Sequence, residues 1–196
     1  MINFRNAKSF GECVFDIRFD TYVRYCIEKV TIDGMWLEFG VATAESSKKI
    51  IEMMPSNKSL YGFDWFKGLP EDWWSDNKAG ELFGSIYGFI PKMERLEIIE
   101  GLFEDTIPKF NDDHKENIAF MHVDCDLYSS TKTIFDNLKD RIVPGTIIIF
   151  DEVYNYADYG KHEYKAFMEY VNYNNIIYEW IAYVSGSGQQ AGVKIL

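Results

Sequence analysis

WLEFGVATAESS, residues 36–47, decides the fold. An apolar run ends in Glu38 and Phe39, Gly40 and small residues follow, and a helical composition begins near Glu45. A strand that turns through glycine into a helix is the first half of a strand–helix–strand unit. Helix N-termini attract anions, but a phosphate would sit badly beside Glu38. The dinucleotide fingerprint G-x-G-x-x-G also fails, because Ala42 and Glu45 stand where glycines are needed. The loop therefore suits a ligand that tolerates an acid and needs close backbone approach.

Outward from this stretch, strands and helices alternate. DTYVRYCIEKV carries Tyr22, Val23, Cys26, Ile27 and Val30 at helical spacing, with Asp20 or Thr21 as cap. After strand GMWLEFG, AESSKKIIEMM reads as a helix stopped by Pro55. SLYGFDW, RLEIIEG, NIAFMHVDCD and PGTIIIFDE read as further strands. TIPKFNDDH, SSTKTIFDNLKDRI (capped by Ser129 or Ser130) and HEYKAFMEYVN read as helices. The tail IIYEWIAYVSGSGQQAGVKIL predicts a hairpin that adds an antiparallel edge. This alternation, with fully apolar runs such as TIIIF, predicts a mostly parallel α/β sheet covered on both faces. We expect one domain over residues 1–196, with a helical N-terminal region (1–34) and a lid-like insertion (66–92) rich in glycine and aromatics.

Ligands of such sheets bind beyond the carboxyl ends of the strands. Nearly every predicted strand delivers an acid there: Glu38, Asp64, Asp124 with Asp126, and Asp151 with Glu152. Asp64 lies 24 residues after Gly40, where an acid grips ribose hydroxyls. A ribose, a positive end facing Glu38 and no phosphate describe S-adenosylmethionine. Asp124, Asp151 and Glu152 offer hard oxygen ligands suited to Mg²⁺. His122, two residues before Asp124, reads as a packed core residue. His162, near the start of a late helix, is the candidate general base, and Asp124 the other candidate catalytic group. Tyr128, Tyr154, Tyr156 and Tyr159 are candidates to line an acceptor pocket, and Trp73, Trp74, Phe83 and Tyr87 to cover it.

Bulk composition narrows the classes. A net charge of −11 disfavours a nucleic-acid partner. No apolar run is long enough to span a membrane, and the N-terminus has no basic start before an apolar stretch, as a secretory leader would. Cys13, Cys26 and Cys125 fit neither a disulfide framework nor a zinc cluster, so a reducing cytoplasm is expected. The partner expected is a small-molecule acceptor. A homo-oligomer is open, with the aromatic-rich segment 4–25 as either an interface or a helix packed on the sheet edge.

Together, LEFGVATAESS, YGFDWFKGLPEDW, IIEGLFEDTIP, HVDCDLYSSTKTIF, DRIVPGTIIIFDE and HEYKAF resemble the class I S-adenosylmethionine-dependent methyltransferases related to macrocin O-methyltransferase. The resemblance runs from about Trp36 to Leu196. It implies a Rossmann-like seven-stranded sheet whose last strand is antiparallel. It implies Glu38 and Gly40 at the methionine part of the cofactor, with Ala42 and Ser46 of the same loop. It implies Asp64 on the ribose, and Trp65 with Gly101, Leu102 and Phe103 flanking adenine. Asp124, Asp151 and Glu152 match the positions of the metal-binding acids. Three positions depart from the family pattern. Ala44 replaces a usual glycine, Leu127 stands where catechol-type enzymes carry a lysine base, and Glu152 replaces a usual aspartate.

Competing readings are a metal-independent methyltransferase, a non-catalytic cofactor-binding module, and a nucleotide-sugar glycosyltransferase. The last rests on the D-x-D of HVDCD, and it leaves Glu38, Gly40 and Asp64 without a shared role.

Overall fold

A computed structural model describes residues 2–11, 17–73, 77–82 and 86–196. Its elements are β1 (Lys8–Phe10), α1 (Ile17–Ile27), β2 (Met35–Phe39), α2 (Glu45–Met53), β3 (Leu60–Asp64), β4 (Leu96–Glu100) and α3 (Phe103–Asp113), then β5 (Ile118–Val123), α4 (Tyr128–Leu138), β6 (Ile142–Phe150), α5 (Glu163–Tyr173), β7 (Tyr178–Val184) and β8 (Ala191–Ile195). One sheet runs β1-β7-β8-β6-β5-β2-β3-β4. All neighbours are parallel except β8, which is antiparallel to both β6 and β7.

Two expectations need correcting. The sheet has eight strands among the described residues, not seven. The added strand, β1, is three residues long, has two exposed positions and begins with a lysine, so it carries no alternating apolar signal. Short, lysine-bearing strands are common at sheet edges because they resist pairing with another chain. The antiparallel strand also does not form the edge. Helix α5 carries the chain past β6 and leaves a one-strand gap, and β8 folds back from β7 to fill it.

Period-two alternation divides the sheet. Leu37, Phe39, Phe63, Met121 and Val123 face α3, α4 and α5 through Ile107, Phe110, Ile134, Phe135 and Phe167. Trp36, Leu60, Phe120 and Ile149 face α1 and α2 through Tyr22, Val23, Cys26 and Ile50. Glu38 and His122 share the parity of Trp36 and Phe120, so they point beneath α2.

Two predicted caps are not caps. Helix α1 starts at Ile17, so Asp20 lies inside it and pairs with Lys49 of α2 at 2.8 Å. Helix α4 starts at Tyr128 after the buried Leu127, and Ser129 instead donates to Glu71 at 2.5 Å. In the N-terminal region Phe4 stacks on Tyr183 at 4.6 Å and meets Tyr154 and Trp180, which packs it on β7, one strand in from the edge. Cys13, Trp74 and Phe83 lie outside the described residues. No helix of the described residues is long and apolar enough to cross a membrane.

The loop between β2 and α2 carries two alanines in the left-handed region: Ala42 (φ 46°) and Ala44 (φ 65°). Both positions hold a conformation that glycine adopts without strain. A left-handed residue other than glycine costs about 1–2 kcal/mol, and glycine loses about 0.5–1 kcal/mol more chain entropy on folding. Ala42 is exposed, so its methyl has little packing to lose. Ala42→Gly should therefore stabilise the protein by about 0.5–1 kcal/mol, raising the melting temperature by about 1–4 °C. A calorimetric melt that moves down would show that the loop is not strained there.

Candidate active site

From β2 the chain steps outward through β3 to β4, then returns to β5 on the other side of β2. The connections after β2 and β5 thus leave in opposite directions, opening a crevice at their carboxyl ends. A cavity of about 1000 Å³ occupies that place. Of the candidate cofactor, metal and catalytic residues, all except Glu38 and His162 line it; of the acceptor-pocket candidates among the described residues, Trp73 lines it and Tyr87, Tyr128, Tyr154, Tyr156 and Tyr159 do not. The cofactor candidates there are Gly40, Ala42, Ser46, Asp64, Trp65, Gly101, Leu102 and Phe103, beside the acids Asp124, Asp151 and Glu152.

Glu38 does not reach the cavity. It is fully buried; one carboxylate oxygen accepts from the Ser47 hydroxyl of α2, and the other meets His122 Nδ1 at 2.9 Å. Burial alone would lower the His122 pKa, but the hydrogen bond and charge of Glu38 raise it to about 9. Glu38 thus fastens the start of the cofactor loop both to the helix that ends it and to the neighbouring strand. Breaking such a buried pair leaves one charge uncompensated.

Asp64 braces the same loop from β3. Its Oδ2 accepts from the backbone N–H of Val41 and Ala42, both at 2.9 Å, and its Oδ1 accepts from Phe66 N at 2.7 Å. A carboxylate has about four acceptor positions, so with three taken one remains for a hydroxyl donor. Gly40 (φ 93°) sits against β5 rather than against open space: a Cβ there would lie 1.7 Å from the Asp124 carbonyl oxygen.

The acid rim forms the other half of the cavity. Asp124, Asp151 and Glu152 offer ligand atoms that all lie within 4.8 Å of one another. Burial and the Asp151 charge hold the Asp124 and Glu152 pKa values well above the carboxylate range. Asp126, which also lines the cavity, is pushed up to about 7 by burial and Asp151, against a hydrogen bond with Glu152. Glu152 Oε2 is buried without a partner. Crowded, desolvated, hard-oxygen donors with an orphaned atom are the set a divalent cation would satisfy, so these residues fit Mg²⁺. A carboxylate oxygen of Glu152 belongs to this set, so its longer side chain does not carry the residue out of reach.

Three supporting residues gave no sequence signal. Gln190 donates to Asp151 Oδ1 at 3.2 Å and lines the cavity. Ser47 holds Glu38. Glu163, fully buried, accepts from Cys125 N at 3.3 Å and thus grips the Asp124–Asp126 turn from the start of α5. Gln190 and Glu163 act across separations of 39 and 38 residues, which no local period records, and Ser47 reaches Glu38 from nine residues on. Neither His162 nor Tyr87 lines the cavity. The His162 ring packs 6.2 Å from Trp73 and 6.3 Å from Tyr156, burial lowers its pKa, and Tyr87 is 67% exposed.

The macrocin-O-methyltransferase (TylF) family matches residues 18–182. A curated relative from Streptomyces olivaceus, 8-demethyl-8-(2,3-dimethoxy-alpha-L-rhamnosyl)-tetracenomycin-C 4'-O-methyltransferase, is 26% identical over 155 residues. That match covers 66% of this chain, and the chain spans 58% of the relative's length. Among solved structures, the calicheamicin methyltransferase CalS11 superposes with a TM-score of 0.68 at 20% identity, over 89% of this chain and 76% of CalS11. The O-methyltransferase NovP gives 0.64 at 20% identity, over 90% and 78%. The two superpositions establish a likeness of fold, and the family match covers most of the sequence. The chain belongs to the macrocin-O-methyltransferase family.

Proposed function

We propose that the protein transfers the methyl group of S-adenosylmethionine to a hydroxyl of a sugar-like small molecule, assisted by Mg²⁺ held by Asp124, Asp151 and Glu152. The observation that carries this reading is the joining, in one cavity at the switch point, of the braced glycine loop, the β3 acid and the acid rim. At about 1000 Å³ the cavity is at the upper end for single-ligand sites, which leaves room for two reactants. The D-x-D glycosyltransferase reading lacks this support, because it gives the braced loop no task.

The residues divide the work. The N-terminus of α2, from Glu45, offers first-turn backbone N–H groups to the methionine carboxylate, the Ala44 N–H being taken by Val41 O at 2.7 Å. Asp64 holds the ribose, and Trp65 with Gly101 to Phe103 flanks adenine. Asp124 stands between the two reactants, where it accepts from the acceptor hydroxyl. When the acceptor oxygen bonds the methyl carbon, the sulfur–carbon bond breaks, the sulfonium becomes a neutral thioether and the hydroxyl proton passes to the Asp124 carboxylate. Holding the two in line supplies about 7–11 kcal/mol of the barrier. A divalent ion bound by the rim acids supplies Lewis acidity that lowers the hydroxyl pKa.

The names of relatives favour a deoxysugar acceptor. The S. olivaceus enzyme is named for a rhamnosyl group, and CalS11 is described as a TDP-rhamnose 3'-O-methyltransferase. Calorimetric titration with S-adenosylmethionine, with and without Mg²⁺, is the first test. The expected result is micromolar binding that Asp64→Ala weakens by about tenfold or more, the loss of one or two charge-assisted hydrogen bonds. No heat under either condition would sink the reading.

A further inference from the structure

The roof of the cavity contains an aromatic plate that the catalytic scheme leaves unused. Trp73 lines the same cavity as Asp124, Asp126, Asp151 and Glu152, and it is half-buried. Its orientation is fixed from several sides. The backbone is held by Trp73 N donating to Asn77 O at 3.0 Å, and the preceding strap by the Ser129–Glu71 hydrogen bond. The Tyr156 ring meets the indole edge-on at 5.9 Å. The His162 ring meets it at 6.2 Å with an interplanar angle of 80°. Tyr156 feels the charges of Glu163, Glu152 and Asp126, so this aromatic group stands next to the acid rim.

We propose that Trp73 is the surface on which the acceptor ring lies, and that Tyr156 and His162 are positioning residues that hold the indole in place. This deepens the methyl-transfer reading and rests on it. An indole face is electron-rich and attracts the polarised C–H groups of a saturated ring, while carboxylates accept from hydroxyls. A cavity with both beside one another suits a ligand apolar on one face and hydroxyl-bearing at its edge. A pyranose ring has that shape. The role of His162 is then carried by its flat ring packed on Trp73, and the residue stays behind the cavity wall instead of taking a proton inside it.

The test uses the full chain, with TDP-rhamnose and S-adenosylmethionine titrated separately and then turned over together. Trp73→Ala is expected to raise the Kd and KM for TDP-rhamnose by about tenfold, the loss of one well-packed aromatic contact, with cofactor affinity unchanged. Trp73→Phe should recover most of that loss. His162→Ala should raise the acceptor KM severalfold, and His162→Phe, flat but unable to carry a proton, should restore it with the wild-type pH profile of kcat. An unchanged acceptor Kd in Trp73→Ala, or a His162→Phe enzyme as slow as His162→Ala, would overturn the assignment. Wild-type protein that binds cofactor but not TDP-rhamnose would also overturn it and leave methyl transfer standing. Binding of TDP-rhamnose alone, weakened by Trp73→Ala, would keep the subsite and remove the methyl-transfer reading.

Discussion

Gly40→Ala should cost at least about 4 kcal/mol and abolish cofactor binding. The new Cβ would lie 1.7 Å from the Asp124 carbonyl oxygen and 2.8 Å from its carbonyl carbon, both backbone atoms of the adjacent strand's end. No rotamer relieves this, since a Cβ has no freedom of its own. The residue also holds φ 93°, where an alanine is strained even in open space. Relief would require β2 and β5 to separate at their carboxyl ends, opening the place where the Glu38–His122 pair joins them. A loss of this size is a large share of the roughly 5–15 kcal/mol that holds such a domain. In a thermal melt the midpoint should fall by about 8–16 °C, and calorimetry should detect no S-adenosylmethionine binding. A variant that melted with the wild type and bound cofactor would mean that the two strand ends are not in contact.

Asp151→Asn should lower turnover by about 10²-fold or more while leaving S-adenosylmethionine affinity within a few-fold. Asp151 sits at the centre of the acid rim. Its charge is the leading electrostatic influence on Asp124, Asp126 and Glu152, and Gln190 orients it. The amide keeps the shape and replaces one of three closely set carboxyl groups. Divalent-ion stimulation of turnover, measured across a Mg²⁺ titration after chelator treatment, should vanish with it. The separation of effects is the informative part, because Asp151 makes none of the hydrogen bonds that brace the cofactor loop. If turnover and its Mg²⁺ dependence both survived, the rim acids would be a solvated cluster, and the metal-independent form of the reaction would replace the assisted one.

Most of the architecture was legible in the chain. The strand–helix alternation, the apolar character of TIIIF and the acids at strand ends follow from local composition and period, which burial on both faces of a parallel sheet imposes. The same logic brought the acids of β3, β5 and β6 to one rim, because all parallel strands end on the same side. The short edge strand β1 was not legible, since three residues with exposed side chains carry no period. Nor was the placement of β8, which depends on a gap left by the α5 crossover.

What the sequence by itself determined was the fold class, the switch-point cavity and the set of groups that surround it. The tertiary structure alone decided which way each group faces. Glu38 reads as a ligand at a strand end, yet the pleat turns it toward α2, where Ser47 and His122 take both its oxygens. Gly40 reads as a close approach to cofactor, yet its near neighbour is the Asp124 backbone. His162 reads as a base beside the rim, yet Trp73 and Tyr156 pack against its ring and it stays off the cavity wall. The reason is common to all three. Period and composition are local, whereas the side on which a residue is covered is settled by partners tens of residues away.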